Sequence, residues 1–170
     1  FPYLPPPANG ADVPSYSDGL NVGLVWAGRD SHLAEAQRSL DVAEFKPLTE
    51  VANCRFFALH EDDRSDELAT AGMADAVMDL SGQLSDFGDT ARVIAGLDLV
   101  IGVDTAVIHL AGALNVPVWT ILAKIGDWRW MLEREDTPWY PTMRLFRQAE
   151  RGEWSPVIGR IVQELTTRRG

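Results

Sequence analysis

An acid, a hydroxyl and an imidazole stand close together at Asp104, Thr105 and His109. They follow the apolar run Leu99-Val100-Ile101-Gly102-Val103 and open the apolar stretch from Ala106 to Leu114. If that stretch is a helix, its first N–H groups, at about residues 106 to 108, have no partners within it and carry roughly half a positive charge. Such an end can receive a phosphate without any lysine. Thr105 and Asp104 are placed to hydrogen-bond either those donors or a ligand, and by spacing alone Asp104 is equally a plain N-cap. His109 lies one turn after Thr105 on the same face, pointing back toward the helix start. It is either part of a site or a satisfied core histidine.

A second candidate is Val25-Trp26-Ala27-Gly28-Arg29-Asp30-Ser31-His32, with Arg38 a little further on. Gly28 permits close backbone approach, while Arg29, His32 and Arg38 gather positive charge in a chain that is otherwise acidic. An anionic ligand such as a nucleotide diphosphate needs such a pocket, and a guanidinium can hold two phosphate oxygens at once. The alternative is that Arg38 pairs with Glu35 or Asp41 on the surface, a weak and common arrangement. A dinucleotide-binding dehydrogenase is disfavoured, because this turn lacks the G-x-G-x-x-G glycines and places Trp26 where a pyrophosphate would approach. The acidic run Glu61-Asp62-Asp63 with Asp66 and Glu67 lacks the ligand spacing of a metal site and reads as a solvated loop. Trp128, Trp130, Trp139 and Tyr140, interleaved with Asp127, Arg129, Arg134 and Asp136, suit either stacking of a sugar or base or packing against another part of the protein. Cys54, the single cysteine, has no disulfide or zinc partner and reads as a small buried residue at a strand start.

The elements that must position these residues are short apolar runs alternating with amphipathic stretches, the signature of βα units around a parallel sheet. Strands are predicted at Val22 to Ala27, Arg55 to Leu59, Ala76 to Leu80, Leu97 to Val103, Val116 to Leu122 and Met143 to Phe146. Helices are predicted at Val42 to Ala52, Arg64 to Ala71, Asp86 to Gly96, Thr105 to Leu114 and Trp154 to Thr167. In open parallel sheets ligands lie beyond the carboxyl ends of the strands. Those junctions here include Gly28, Ser81-Gly82-Gln83, Asp104 to Ala106, and Ala123-Lys124 onward. Five of the ten prolines fall between Pro2 and Pro14, so residues 1–19 read as a proline-rich linker and 20–170 as the domain.

At 170 residues the chain is long enough for one domain with a real core, burying roughly 70% of its unfolded surface. An apolar share of 46% and a charged share of 24% exclude disorder, collagen and coiled coil as descriptions of the whole. No apolar run reaches the length of a membrane span and no signal peptide opens the chain, so a soluble, cytoplasmic protein is expected. A net charge of −10 repels a phosphate backbone, which makes nucleic acid an improbable partner. A start at Phe1 rather than Met suggests a piece of a longer protein.

The stretch from Asp79 to Leu122, with Asp-Leu-Ser-Gly-Gln-Leu-Ser-Asp-Phe leading to a helix and then Asp104-Thr105 and His109-Leu110-Ala111, resembles the donor-binding half of glycosyltransferase family 9, the heptosyltransferase-like enzymes. Trp26-Ala27-Gly28, the spacing of His32, Glu35 and Arg38-Ser39, Asp127-Trp128-Arg129-Trp130 and Pro138-Trp139-Tyr140-Pro141 look like the branch found at the C-terminal end of bacterial tetratricopeptide-repeat proteins. The resemblance covers about residues 20 to 167 and is carried by the whole series in order. It implies a Rossmann-like three-layer α/β/α parallel sheet, the C-terminal half of a GT-B glycosyltransferase, whose N-terminal domain is absent from this chain. It implies transfer of a sugar from a nucleotide-diphosphate donor with inversion, without a metal or other cofactor, to an acceptor the sequence does not identify. By that resemblance the backbone at Thr105 and Ala106, with Asp104 nearby, holds the donor pyrophosphate. Arg38 assists, and Gly82 and Gln83 lie near the nucleoside. No catalytic residue falls in this half beyond a supporting His109, since the general base belongs to the N-terminal domain. Two departures stand out: Arg29-Asp30 where the branch has Asn-Pro, and Ala123-Lys124-Ile125-Gly126 where it is proline-rich. Lys124 is therefore either an added donor contact or a mark of altered specificity. Two other functions fit the same architecture: a non-catalytic nucleotide-sugar-binding or protein-interaction module, and a nucleotide-sugar epimerase.

Overall fold

Each of the six apolar runs becomes a strand: β1 Leu20–Val25, β2 Cys54–Ala58, β3 Val77–Asp79, β4 Leu99–Val103, β5 Val118–Leu122 and β6 Met143–Arg147. A computed structural model describes residues 2–5, 7, 19–28 and 40–168. The strands pair in the order β3-β2-β1-β4-β5-β6, and every pairing between named strands is parallel. Such a sheet must be covered on both faces, and the side chains show it. Along β1, Val22, Leu24 and Trp26 enter one apolar cluster and Val25 the other. On β4, Leu99, Ile101 and Val103 face the first and Val100 the second. That alternation with a period of two is what the pleat dictates.

The helices are α1 Lys46–Thr49, α2 Ser65–Thr70, α3 Phe87–Ala95, α4 Ala106–Ala113 and α5 Ser155–Thr167. Leu48 of α1, Leu68 of α2 and Val157, Ile158, Ile161 and Leu165 of α5 cover one face. Val93 and Ile94 of α3 with Ile108 and Ala111 of α4 cover the other. The result is the three-layer α/β/α arrangement expected from the sequence. One element differs in kind: the helix expected over 42–52 is a 3-10 turn, Val42–Phe45, followed by the single turn of α1. Pro47 sits in the first turn of α1, where its missing N–H costs nothing, and it cannot continue a helix from upstream. Cys54 begins β2 as expected but is only partly buried.

Candidate functional site

Strand order reverses between β1 and β4, so their crossovers leave in opposite directions and a crevice opens between their carboxyl ends. The register pairs Val25 with Gly102, which puts Gly28 and Asp104 at that crevice. Gly102 makes the approach possible: a Cβ there would lie 2.4 Å from the Val25 carbonyl oxygen. Two junctions singled out from sequence thus meet at the topological switch point.

On the β4 side, Thr105 is the N-cap of α4, with extended backbone at φ −137° and ψ 168°, yet its side chain makes no capping hydrogen bond. Asp104 is not a plain N-cap either. Its carboxyl, 7% exposed, turns to the imidazole of His109, where Nε2 lies 3.5 Å from Oδ1. The open helix end therefore keeps its positive partial charge. Burial works to raise the Asp104 pKa. The facing imidazole, the indole of Trp130 and the charge of Arg129 outweigh it, and the carboxyl sits below its ordinary range. The Trp130 indole faces the carboxyl without closing a full hydrogen bond. Asp104 Oδ2, Thr105 Oγ1 and Trp130 Nε1 are all buried without a hydrogen-bond partner.

His109 is clamped on three sides. Trp130 stacks on its ring at 5.1 Å, Tyr140 meets it edge-on, and the Tyr140 hydroxyl lies 3.0 Å from Nδ1. Trp130 arrives on a 3-10 turn, Trp128–Trp130, in which the Asp127 carboxylate accepts from the Arg129 backbone N–H. Arg147 at the end of β6 donates to the carbonyls of Trp130 and Met131 at 3.1 and 2.8 Å. Those bonds hold Met131 at φ 52° and ψ −169°, a conformation that favours glycine and costs on the order of 1–3 kcal/mol. Arg129 in the same turn bonds Asp127 at 2.8 Å and is raised in pKa chiefly by that bond, with Asp104 and Tyr140 also acting on it.

On the β1 side the carboxylates of 61–67 are exposed as expected, but two of them also partner a buried cation. Arg64, 6% exposed, pairs with Asp62 and Glu67 at 2.9 Å each and donates to the Gly28 carbonyl at 3.1 Å. Glu67 also accepts from the Trp26 indole at 2.7 Å. The His60 ring packs at a tilt of 58° against Trp26 with ring centres 4.0 Å apart and accepts from the Trp26 backbone N–H at 3.4 Å. Burial, aided by Arg64, lowers the His60 pKa to about 3. The adjoining groove of about 540 Å³ is lined by Trp26, Leu40, Asp41, Asp66 and Glu67, and its carboxylates suit no phosphate. Among the described residues, no group of three or more His, Cys, Asp or Glu side chains could hold a metal ion.

Gly28, Asp104, Thr105, Ala106 and His109 are therefore brought together at one crevice. Arg29, His32 and Arg38 lie outside the described residues. Gly82 and Gln83 form a 3-10 turn at the end of edge strand β3, and nothing lies within 4 Å of a Cβ added at Gly82. At about 4.8 Å per strand that is roughly 10 Å from β1 and 14 Å from β4. Lys124 is drawn to Glu150 at 2.8 Å. Sequence reasoning missed the contacts of Trp130, Arg129 and Tyr140 with this cluster and the buried role of Arg64. The interleaved aromatic segment was the available signal, but His109 and Tyr140 are 31 residues apart.

A family model described as glycosyltransferase family 9 (heptosyltransferase) matches residues 49–152, more than half of the chain. Protein FlbA of Caulobacter vibrioides is 30% identical over 162 residues, covering 91% of this chain and 26% of that protein. The chain thus spans about a quarter of the length of that relative. Among solved structures, E. coli heptosyltransferase WaaC with ADP-2-deoxy-2-fluoro heptose superposes with a TM-score of 0.59 at 16% identity, over 86% of this chain and 44% of that one. E. coli ADP-heptose lps heptosyltransferase II superposes with 0.61 at 12% identity, over 91% and 49%. At these identities the superpositions establish the fold.

Proposed function

This chain belongs to glycosyltransferase family 9, and from that premise we propose that it is the donor-binding domain of an inverting glycosyltransferase that uses a nucleotide-diphosphate sugar. The observation that carries the proposal is the uncapped amide end of α4, opening beside Gly28 where the strand order reverses. In a chain of net charge −10, this is where an anion finds local positive potential. Charge grows on the departing diphosphate during sugar transfer, and preorganised donors aimed at it lower the barrier by roughly 3 kcal/mol each. The amides at 106–108 and the guanidinium of Arg129 fill that role, with Arg38 as a further candidate. The proposal asks no metal or other cofactor to supply this stabilisation.

Asp104 takes a different part. An ionised carboxylate repels phosphate, so its buried, unpartnered Oδ2 is assigned to a hydroxyl of the donor, which can donate to it. Gly82 and Gln83, two strands beyond β1, are assigned to the nucleoside end of an extended donor. WaaC, with which the chain shares its fold, was solved with ADP-2-deoxy-2-fluoro heptose, so ADP-linked sugars are the first donors to test. The general base and acceptor site are assigned to a partner half outside this chain.

Thermal unfolding with a panel of nucleotide sugars tests the proposal. At a hundredfold excess over Kd, a true donor should add about 2.7 kcal/mol and raise Tm by roughly 5–10 °C. The competing reading, an interaction module, draws on the exposed Ile125, Trp128 and Leu132. Loss of the shift on Arg129→Ala with retention on Trp128→Ala supports the donor domain, and no shift with any nucleotide sugar supports the module.

A further inference from the structure

We propose that Tyr140 is a positioning residue of the donor site, which locks His109 in the tautomer protonated at Nε2 and so fixes where the Asp104 carboxylate points. This inference rests on the donor-site reading above for its consequence, but its structural core can be judged without any ligand. Asp104 Oδ1 faces the buried His109 Nε2 at 3.5 Å without closing a full hydrogen bond, and because an ionised carboxylate only accepts, that approach favours a proton on Nε2. A neutral imidazole then has a bare Nδ1, which can only accept. The group in reach of Nδ1 is the Tyr140 hydroxyl at 3.0 Å, and it can donate. Tyr140 thereby selects one tautomer out of two, as a hydrogen bond to the other ring nitrogen of a histidine commonly does.

The surroundings show that this contact is built rather than incidental. Gly112, one turn along α4, leaves room for the tyrosine: an added Cβ would lie 2.6 to 3.0 Å from three atoms of its ring. Tyr3 closes the other side, its ring edge-on to Tyr140 at 6.1 Å, while the N–H groups of Tyr3 and Leu4 both donate to the Ala113 carbonyl. Trp130 covers the face of the imidazole. With the ring fixed, the carboxylate is drawn toward His109. Without the Tyr140 hydroxyl, the imidazole can turn and the carboxylate is released beside the phosphate seat, where its charge opposes a diphosphate.

The chain holds a built-in spectroscopic reference. It has three histidines, His32, His60 and His109. His60 accepts at Nε2 from the Trp26 backbone and must carry its proton on Nδ1, the opposite tautomer. Imidazole ¹⁵N spectra of the 170-residue chain at pH 8, assigned with His60→Gln and His109→Gln variants, should show His60 protonated at Nδ1 and His109 at Nε2. In Tyr140→Phe, which keeps the ring, the His109 signals should move toward a mixture of tautomers while those of His60 stay fixed. Affinity for ADP should fall about 3- to 10-fold in Tyr140→Phe, and Tyr140→Phe should have no further effect in an Asp104→Asn background. A proton on His109 Nδ1 in the unmodified chain overturns the inference outright, as does an unchanged tautomer in a folded Tyr140→Phe. Absence of ADP binding to the unmodified chain counts against the donor reading instead, and the tautomer spectra still decide the role of Tyr140.

Discussion

At the scale of single residues, His60 and Asp104, both buried, act in different pH ranges. His60 is neutral in the folded chain down to about pH 3 but takes a proton near pH 6.5 when unfolded. Its folded pKa is depressed, so the unfolded state binds the extra proton and stability falls as pH drops from about 6.5 toward 3, by at most roughly 1.4 kcal/mol per pH unit. Urea unfolding at pH 7 and pH 4.5 should show a loss of about 2–3 kcal/mol that His60→Gln largely removes, because glutamine can still accept from Trp26 without taking a proton. Asp104, whose carboxyl lies below its ordinary range, contributes stability above that range and loses it only as pH falls through its folded value, at the acid end of the same curve. Its functional role is separable. Asp104→Asn should weaken a nucleotide sugar by about 10-fold or more, the worth of a charge-assisted hydrogen bond, while ADP without the sugar binds at least as well as before. Parallel titrations of the two ligands check this, and equal losses for both would place the hydroxyl bound by Asp104 on the nucleotide rather than on the sugar.

At the scale of elements, the strands were legible because each is an apolar run between turn residues, and α4 because a capping pair leads into it. What the sequence did not reveal is the loop between β5 and β6. Nothing in the spacing of Trp128, Trp130 and Tyr140 says that one indole is 77% exposed while its neighbour is 1% exposed against His109. That outcome depends on the Met131 backbone, held by two bonds from Arg147, and such contacts are tertiary. Arg64 was hidden for a related reason, since its acidic neighbours suggested water when they were in fact its partners. Helix α4 offers a direct check on this packing. Alanine normally favours a helix over glycine by about 1 kcal/mol, yet Gly112→Ala should destabilise the chain by roughly 1–3 kcal/mol because the Tyr140 ring has to move. Chemical denaturation measures it, and a stabilised variant would show that Tyr140 packs elsewhere.

For the whole molecule, the sheet order fixes where a crevice opens, between β1 and β4, and the proposal seats the diphosphate there. β1 and β4 must lie close there, which is why Gly102 cannot carry a side chain against the Val25 carbonyl without prying the crevice open. A net charge of −10 opposes the approach of an anion to the molecule as a whole, so a seat for one needs local positive potential. Family membership accounts for the fold, and the sugar-transfer chemistry is the proposal built on it. The location of the ligand is a claim about this chain's own amides and can be tested on them. The most direct measurement is a backbone amide NMR titration of the 170-residue chain with ADP. The largest shifts should fall on the amides of residues 105 to 108 and at Gly28, with smaller changes near Gly82. Shifts confined to the groove lined by Asp41, Asp66 and Glu67, or no change around Thr105 while ADP demonstrably binds, would contradict it.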